Sequence, residues 1–474
     1  MKNNETAVNR LLGSLAFIFS FFILTRTPVD ADLWWHLRAG QSMWEQHKIL
    51  LTDTFSYTRF GTPWVNAFWL SEIIFYLLDK FGGYLAITVF VSVLGALTFY
   101  LIWHQLSGNP FVGTFIIILS AITASPIWGP RPQVISFLFI AILDNWLSRN
   151  KNKWFIISLF ILWANIHGGW IWGFLLLIAQ ITGLITRLAS TNTQERVIIY
   201  EKIKDMVICT VISAIAIGLN PNGLSIWKLP FEQIHVSMQI QEWLSPDFHQ
   251  IQFHPFLWMI FLLILAAPFQ PTAKDWPRIY KVLGFAYLTF VVQRNIALFA
   301  IVTAPLLVDW INTALQSLTG KGLHALQVTS PTRFTFIFNN LLIVTLSARA
   351  ILYAFLVSRP SEVDKNYPTD AIAWISDHKP AGRLFNSYNW GGYILWNLQQ
   401  YPVFIDGRAD LYGNEIISQW QSVASAQDNA LAILDQWDVN IVLMESDSPV
   451  VKLLKTDQWN IAFQDEMSVI LIRK

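Results

Sequence analysis

The sequence contains almost no cysteine and little charge. It has one Cys in 474 residues, and Asp, Glu, Lys and Arg together make up 13%, against roughly 25% in soluble domains. One cysteine allows no disulfide within the chain and no cluster of thiolates for a metal. The net charge of +1 gives no bulk attraction to nucleic acid. These shortages exclude an ordinary cytosolic enzyme and a disulfide-rich secreted domain, and they leave no nucleic-acid partner to expect.

Hydrophobic and aromatic residues are abundant instead. They include 23 Trp and 34 Phe, hydrophobic residues make up 54%, and the mean hydropathy is +0.43. About 20 helical residues cross the hydrocarbon core of a membrane. The sequence therefore predicts a polytopic α-helical membrane protein with about eleven transmembrane helices, at 10–26, 83–105, 112–128, 133–148, 154–166, 170–187, 206–220, 255–270, 280–293, 296–313 and 334–356. The first has no small-residue cleavage site after it, so we expect an uncleaved anchor.

The topology depends on the apolar segment 66–80. Its length of about 14 residues is typical of an interfacial or re-entrant helix rather than a full span. With the first loop, 27–82, placed outside, the inner loops carry 14 basic residues, among them Lys151, Lys153 and Lys321, against 8 in the outer segments before the tail. This distribution follows the positive-inside rule and predicts a cytoplasmic N-terminus.

The tail from residue 358 has a different composition. It contains nine basic and fifteen acidic side chains, and short apolar β-type runs alternate with helix-like stretches. The strand-like runs are at 383–385, 402–405, 439–444 and 467–472, and the helix-like stretches are at 368–378, 413–422, 428–437 and 448–456. We therefore divide the chain into a transmembrane domain, 1–357, and a C-terminal extracytoplasmic α/β domain, 358–474.

Charged and strongly polar side chains near the spans collect at the predicted outer ends. Such residues are costly in lipid, so they mark functional or bundle-facing positions. Arg131, His167 and Arg294 each lie just before a span that runs inward, where free backbone N–H groups and a positive dipole end are expected. An arginine there makes an anion site suited to phosphate, although snorkelling to lipid headgroups also explains either arginine alone. Arg349, about 15 residues into the last span, also nears the outer edge.

Two aspartates follow the first span in the run D-A-D-L-W-W-H-L, residues 30–37. If residues 30–32 are extended, the carboxylates of Asp30 and Asp32 share one side. A carboxylate beside lipid loses solvation and becomes a better proton acceptor, which favours a general base. The alternative is a pair of capping aspartates with the adjacent tryptophans at the membrane interface. We expect His36 to support the site or contact substrate rather than catalyse.

Further polar candidates lie in the outer loops and the tail. Asp53 lies in T-D-T-F-S-Y-T, where polar groups among aromatic rings suit sugar recognition, and a loop on lipid headgroups has the same composition. Glu242, in the outer loop 221–254, has the same ambiguity. In the tail, N-W-G-G-Y and F-I-D-G-R-A-D indicate either structural turns built on their glycines or a substrate-binding set of Trp390, Asp406 and Arg408.

These features together resemble the GT-C superfamily of membrane glycosyltransferases. The shared features are an aspartate after the first span, a long first outer loop with interfacial helices, many spans and a C-terminal outer domain. A bacterial branch of the superfamily is similar in the runs D-A-D-L-W-W-H-L, T-D-T-F-S-Y-T, R-P-Q, A-N-I-H-G-G, L-N-P-N-G, Q-E-W-L-S, R-N-I-A-L-F, N-W-G-G-Y and F-I-D-G-R-A-D.

The resemblance implies transfer of a sugar from a polyprenyl-phosphate-linked donor to a glycan, lipid or protein acceptor at the outer face of the cell (inner) membrane. Asp30 or Asp32 would be the base or acceptor-orienting group, and the choice between them stays open. Direct displacement at the anomeric carbon predicts inversion. Some relatives use Mg²⁺ or Mn²⁺, and outer carboxylates could hold one, but no metal ligand is predicted. The residues implied to bind the donor phosphate are Arg131, His167, Arg294 and Arg349.

Two other classes of function compete with this interpretation. A transporter or lipid flippase would place ionisable groups and broken helices near the midplane, in repeated halves, and the sequence shows neither clearly. A non-catalytic scaffold or receptor would use the outer domain as its binding module. Replacing both Asp30 and Asp32 by Asn separates these classes, because only a transferase should lose activity.

Overall fold

The computed structural model describes residues 2–149, 154–191, 193–231, 241–271, 274–319, 333–455 and 458–474. The chain divides into two compact units. The helical unit comprises residues 1–26, 88–219 and 240–357, and the mixed unit comprises 27–87, 220–239 and 358–474. Three of the cations predicted for inner loops, Lys151, Lys153 and Lys321, lie outside the described residues.

Eleven of the first twelve described α-helices overlap the segments predicted as spans, and α2 overlaps none. Helix α2 belongs to the mixed unit, α3 passes from the mixed to the helical unit, and the others belong to the helical unit. Their bounds are α1 (Lys2–Leu24), α2 (Ala31–Gln46), α3 (Trp69–Trp103), α4 (Pro110–Ala124), α5 (Gln133–Ser148), α6 (Trp154–Ala164), α7 (Trp170–Ala189), α8 (Thr193–Ala216), α9 (His254–Ala266), α10 (Trp276–Val291), α11 (Ile296–Thr319) and α12 (Arg333–Val357).

Polar residues and prolines set the beginnings of several of these apolar helices. The Asn109 side chain accepts a hydrogen bond from the Phe111 N–H, and Pro110 occupies the first turn of α4. Asp275 caps α10 in the same way, by accepting from the Arg278 N–H. A side-chain acceptor replaces a helical partner that the first N–H groups lack, and proline suits the first turn. The helices therefore begin where local chemistry favours it.

Six described helical segments are long and apolar enough to cross a membrane: Trp69–Trp103, Pro110–Ile127, Trp170–Ala189, Ile251–Phe269, Gln293–Thr319 and Arg333–Val357. Shorter apolar helices are Val8–Leu24, Gln133–Ser148 and Trp154–Ala164. The protein is thus a multi-pass α-helical membrane protein, as predicted. The number of eleven spans, and the placement of either end inside or outside, stay predictions.

The outward faces of the helical unit are apolar. On α12, Phe334, Ile337 and Leu352 are each more than half exposed, although exposed side chains of this size are unfavourable in water. Inside the unit, small residues such as Ala96, Ala350 and Ala354 pack with Phe21. Small side chains between helices and large apolar ones outside are typical of helices in lipid.

The helix that contains the predicted interfacial segment is interrupted. Helix α3 begins at Trp69 and has one non-helical residue, Gly83, with φ 56° and ψ −155°. A positive φ is readily adopted only by glycine, so Gly83 divides the helix where the predicted interfacial segment gives way to the predicted span. That residues 66–80 lie in the membrane interface stays a prediction.

The mixed unit contains a four-stranded sheet of order β1-β2-β4-β3. Strand β1 (Arg383–Asn386) pairs in parallel with β2 (Val439–Glu445), while β4 (Ser468–Arg473) pairs antiparallel with both β2 and β3 (Trp459–Gln464). The apolar centres of β2 and β4 are fully buried. The associated helices are α13 (Pro360–Asp364), α14 (Thr369–His378), α15 (Gly391–Asn397), α16 (Ala409–Ala424), α17 (Ala430–Gln436) and α18 (Pro449–Leu454). The predicted α/β character of this region is confirmed.

One strand prediction in this region was wrong, and one strand was not predicted. The apolar run 402–405 is not a strand. Val403 alone forms bridges, to Ser56 and to Leu384, and its neighbours in the run do not extend them into a ladder. Strand β3 was not predicted, because its sequence has few β-branched residues and its middle is exposed. It lies at the edge of the sheet, where burial imposes no alternating apolar pattern.

Candidate functional site

Two arginines of the helical unit are held at helix beginnings by one polar cluster. Arg131 lies two residues before α5, and its Nη1 donates to Glu242 Oε2 over 2.6 Å. Arg294 lies in the turn before α11, and its Nε donates to Gln133 Oε1 over 2.9 Å. The Arg294 guanidinium also lies 5.5 Å from the ring centre of Trp243. The fold therefore brings together Arg131, Gln133, Glu242, Trp243 and Arg294, and we call these five residues the arginine cluster.

The two arginines of this cluster stabilise the negative charge of Glu242. Burial opposes its ionisation, but the nearby Arg131 and Arg294 charges outweigh burial and lower the pKa of the Glu242 carboxyl. The contribution of this ion pair to stability is therefore complete above the ordinary pKa of glutamate and is lost as the pH falls through the lowered value. Near neutral pH the cluster holds one carboxylate between two guanidinium groups.

Helix dipoles add to the positive potential, but free N–H groups do not. The N–H groups of Val134 and Ile135 already donate to the carbonyls of Arg131 and Pro132, and that of Ile296 donates to Gln293. Tight turns thus satisfy these three N–H groups, which were expected to be open donors at the beginnings of α5 and α11. What remains is the positive end of each helix dipole, and donors must come from side chains.

His167 is held in one tautomer. Its Nδ1 accepts the backbone N–H of Gly169 over 2.8 Å and lies 2.8 Å from Ser136 Oγ. Ser136 Oγ accepts from the indole N–H of Trp163 over 2.7 Å, which leaves its own proton for His167. An Nδ1 that accepts an N–H cannot carry a proton, so the ring proton lies on Nε2. Burial, and then the Arg294 charge, hold the pKa of His167 well below its ordinary value, so His167 is a neutral N–H donor.

Arg349 is not part of the arginine cluster. It lies on the exposed side of α12, and the described contacts of Arg131, Glu242 and Arg294 do not include it. That Arg349 binds the donor phosphate stays a prediction.

In the mixed unit, the two aspartates after the first span have different surroundings. Asp30 is the N-cap of α2, and its Oδ1 accepts the backbone N–H of Asp32 over 2.9 Å. Asp32 lies in the first turn, and its Oδ1 accepts from the indole N–H of Trp35 over 3.1 Å. Both side chains are half-buried. The expectation of an extended segment at 30–32 was wrong, because capping by Asp30 begins a helix at Ala31.

His36 belongs to a buried polar chain. Its Nδ1 lies 3.2 Å from Glu72 Oε1, and Glu72 Oε2 accepts from the side-chain amide of Asn66 over 2.8 Å. The backbone carbonyl of Asn66 in turn accepts from the side chain of Asn222, over 2.9 Å. These hydrogen bonds connect α2 to the beginning of α3, which supports a positioning role for His36. A direct contact of His36 with substrate stays a prediction.

The predicted substrate residues Asp53, Asp406 and Arg408 form one fully buried ion cluster. Arg408 Nη1 lies 2.7 Å from Asp53 Oδ1, and its Nη2 lies 2.6 Å from Asp406 Oδ2. The Tyr412 hydroxyl donates to Asp406 over 2.8 Å. Burial disfavours the guanidinium charge, but the attraction of Asp406 outweighs it and raises the pKa of Arg408 well above its ordinary value. Their complete burial points to a structural role, and substrate binding by the three stays a prediction.

This ion cluster fixes a backbone that lies against Asp32. A side chain at Gly407 would overlap Asp32 Oδ1, and one at Gly392 would lie 2.8 Å from the carbonyl of Ala31. The two glycine-containing motifs of the tail therefore pack directly on the first turn of α2. Only residues without a Cβ allow so close an approach.

Trp390 is also buried, with 6% of its surface exposed. Its neighbour Tyr393 stacks on Tyr367, with ring centres 4.5 Å apart, and meets the edge of Trp34. These aromatic rings pack against Trp34 of α2. Substrate contact by Trp390 stays a prediction. Within the described parts of the chain, no three His, Cys, Asp or Glu side chains group as metal ligands do.

Several members of these arrangements were not predicted. Gln133 and Trp243 each adjoin a predicted residue or motif, but nothing local shows that they join Arg294. Glu72 could have been found, because an acidic residue in an apolar segment is unusual enough to indicate a function. Ser136 and Trp163 carry no sequence signal for their contact with His167.

Comparison with known proteins identifies the fold. Neither a protein-family model nor a curated protein matches the sequence. Among solved structures, the archaeal oligosaccharyltransferase AglB from Archaeoglobus fulgidus, in complex with an inhibitory peptide and a dolichol-phosphate, aligns with a TM-score of 0.60 and 12% identity. The alignment covers 93% of this chain and 70% of AglB.

ArnT from Cupriavidus metallidurans is also similar in structure. In the apo state it aligns with a TM-score of 0.52 and 13% identity over 99% of this chain and 98% of ArnT. Bound to undecaprenyl phosphate, it aligns over the same shares with a TM-score of 0.48 and 11% identity. The AglB and apo ArnT alignments show that the chain has the same fold as these two proteins, which is the fold expected from the resemblance.

Proposed function

We propose that this protein is a membrane glycosyltransferase that moves a sugar from a polyprenyl-phosphate-linked donor to an acceptor at the outer face of the inner membrane. The observation that carries the proposal is the arginine cluster: Arg131 and Arg294 converge at the beginnings of two helices in a chain with the GT-C fold. Paired guanidiniums with helix dipoles suit a phosphate. The AglB neighbour holds a dolichol-phosphate, which agrees with a lipid phosphate as the ligand.

In the proposed reaction, a carboxylate removes the proton of an acceptor hydroxyl. The hydroxyl oxygen attacks the anomeric carbon, the bond from that carbon to the phosphate oxygen breaks, and polyprenyl phosphate leaves with the bonding electrons. The sugar inverts, because attack and departure occur on opposite faces. Arg131 and Arg294 stabilise the charge that develops on the departing phosphate, and such stabilisation commonly supplies a large share of the rate.

We assign the base to Asp32 rather than Asp30. The Asp30 carboxylate is engaged in capping α2, whereas the Asp32 carboxylate accepts from Trp35 and lies close against Gly407. These contacts give Asp32 the fixed position that a catalytic carboxylate needs. No proposed step uses a metal.

Neutral His167 donates its Nε2 proton to a phosphate oxygen in this proposal. The tautomer follows from the contacts of Nδ1 with Gly169 and Ser136. A neutral donor adds a directed hydrogen bond without a third positive charge beside Arg294. His167 would support phosphate binding as a neutral donor at every pH above its lowered pKa.

The proposal predicts that removal of both arginines weakens lipid-phosphate binding. In an Arg131→Ala, Arg294→Ala variant, we expect the affinity for undecaprenyl phosphate to fall at least about 100-fold, because two charge-assisted contacts are lost. The measurement is titration of the purified protein in mild detergent, followed by native mass spectrometry.

Arg149→Ala is the matched control, because Arg149 follows the other end of α5 and is exposed. It should bind undecaprenyl phosphate like the unmodified protein. Equal affinity for undecaprenyl phosphate in the double variant and this control would show that the arginine cluster does not bind the lipid phosphate.

A second prediction concerns Gly407. In Gly407→Ala, the added methyl group must displace Asp32 or the loop that carries residue 407. We expect sugar transfer to slow by about 100-fold, as a shift of about 1 Å in a catalytic group does. Binding of undecaprenyl phosphate should be unchanged, so the loss should appear in kcat rather than in the donor KM.

Gly284→Ala is the control for this substitution, since Gly284 is in a helix with open space around its Cα. Alanine there should leave activity unchanged. If Gly407→Ala is as active as Gly284→Ala, Gly407 does not position the base.

A further inference from the structure

A polar cavity lies at the other end of the helices that carry the arginine cluster. Helices α5, α7 and α10 begin or end beside Gln133, His167 and Arg294, and α7 packs against both other helices. At 1.5 Å per residue, their opposite ends are about 24–30 Å away. The cavity there is lined by the last turns of α5 and α7, the middle of α8 and the beginning of α10, and it has a volume of about 440 Å³.

Charged side chains surround this cavity, which we call the α8 cavity. Its charged lining comprises Arg187, Lys202, Asp205, Asp275, Arg278 and Lys281. So many ionisable groups at one end of an apolar helix bundle are costly unless they are paired or have a ligand.

Two of the cations are already paired with carboxylates. Lys281 Nζ lies 2.5 Å from Asp144 Oδ1, and both residues are buried. Arg278 bridges Asp309, 2.5 Å away, and Asp275, 3.4 Å away. These pairs form the fixed wall of the cavity, since breaking a buried pair leaves an uncompensated charge.

The other two cations are held loosely. Arg187 lies 3.6 Å from Glu195, and both side chains are more than half exposed. Lys202 is exposed, and the described residues contain no carboxylate within ion-pair distance of it. An exposed pair at that distance contributes little to stability. Arg187 can therefore exchange Glu195 for a more strongly binding anion, and Lys202 can bind the same anion.

The remaining lining is mostly apolar, with Ser148 and Gln180 as its polar members. Ile156, Leu184 and Met206 lie beside the charged groups, as required for a ligand with both a charged head and a hydrocarbon part. We propose that the α8 cavity binds a phosphate-bearing head group, with Arg187 and Lys202 as its ligands. The source is a phospholipid of the adjoining leaflet or a soluble phosphate compound. This site is separate from the proposed transferase site.

The single cysteine provides the test, because Cys209 lines the α8 cavity and is buried. The rate of Cys209 labelling by a maleimide would be measured for the full chain in detergent. The additions would be none, inorganic phosphate, or a short-chain phosphatidylglycerol. We expect the phospholipid to slow labelling at least tenfold. Protection by the phospholipid alone identifies a lipid ligand, and equal protection by inorganic phosphate identifies a soluble one.

An Arg187→Ala, Lys202→Ala variant should lose this protection. Its matched control is Lys204→Ala, on the same helix, because Lys204 pairs with exposed Glu201 and is not part of the lining. The control should keep full protection. Labelling that neither addition slows, or protection that survives in the double variant, would overturn the proposal. Binding of undecaprenyl phosphate by the double variant should be unchanged, which keeps this test independent of the transferase site.

Discussion

Asp32→Asn is expected to slow sugar transfer by about 10²- to 10⁴-fold, the range that a general base contributes. Asparagine has the shape of aspartate, and its carbonyl oxygen can still accept the indole N–H of Trp35, which is 3.1 Å from Asp32 Oδ1. The fold should therefore be preserved, while the ability to accept a proton is lost. The rate to measure is conversion of the lipid-linked sugar to polyprenyl phosphate in membranes that carry each variant.

Asp30→Asn is the matched control for Asp32→Asn. Asparagine is as good an N-cap as aspartate, so a residue that only caps α2 should tolerate the change with little loss of activity. The reverse pattern, with Asp30→Asn inactive and Asp32→Asn active, would assign the base to Asp30. Full activity in both variants would show that neither aspartate is the base, whereas no transfer by the unmodified protein would favour a scaffold or a transporter.

Arg408→Met is expected to cause the largest loss of stability, about 3–5 kcal/mol. It leaves the carboxylates of Asp53 and Asp406 without their common partner, and both are completely buried. The measurement is the denaturant midpoint of unfolding in detergent. Because the same cluster holds the loop at Gly407, activity should fall along with stability.

Lys365→Met is the control, because Lys365 pairs with Glu362 at the surface and such pairs contribute at most about 1 kcal/mol. A triple variant, Asp53→Asn, Asp406→Asn, Arg408→Met, should recover part of the loss, since no charge is then left unpaired. A loss in Arg408→Met no greater than that in Lys365→Met would show that the buried ion cluster does not stabilise the mixed unit.

The membrane helices and the general fold could be predicted from the sequence because their signals are local. Long apolar runs and capping residues such as Asn109 identify helices without knowledge of their neighbours. The same local reasoning was wrong at 30–32, where one hydrogen bond from Asp32 N–H to Asp30 begins a helix. It was also wrong at 402–405, where a largely buried apolar run makes only isolated bridges, from Val403 to Ser56 and Leu384.

The contacts of the candidate site could not be predicted, because they join residues far apart in the chain. Arg131 and Glu242 are 111 residues apart, and Asp53 and Arg408 are 355 apart. The sequence singled out each of these residues by type and position, but not their pairing. The pairing changed their interpretation: Glu242 became a counter-ion of the arginine cluster, and Arg408 became part of a buried ion cluster.

The glycines of the tail show how a structural feature can support a distant group. In the sequence, D-G-R-A-D suggests either a turn or a ligand loop. In the fold, Asp406 and Arg408 on either side of Gly407 are fixed by Asp53, and Gly407 lies against Asp32. A residue far away in the sequence can thus lie directly against a candidate site residue.

The most direct test of the account is mass spectrometry of the lipids that co-purify with the protein in mild detergent. The Asp32→Asn variant should retain a polyprenyl-phosphate-linked sugar intact, because it binds the donor without consuming it, and the mass of that lipid names the sugar. The unmodified protein should retain mainly polyprenyl phosphate, and the Arg131→Ala, Arg294→Ala variant neither. Bulk phospholipid alone in all three preparations would contradict the proposed function.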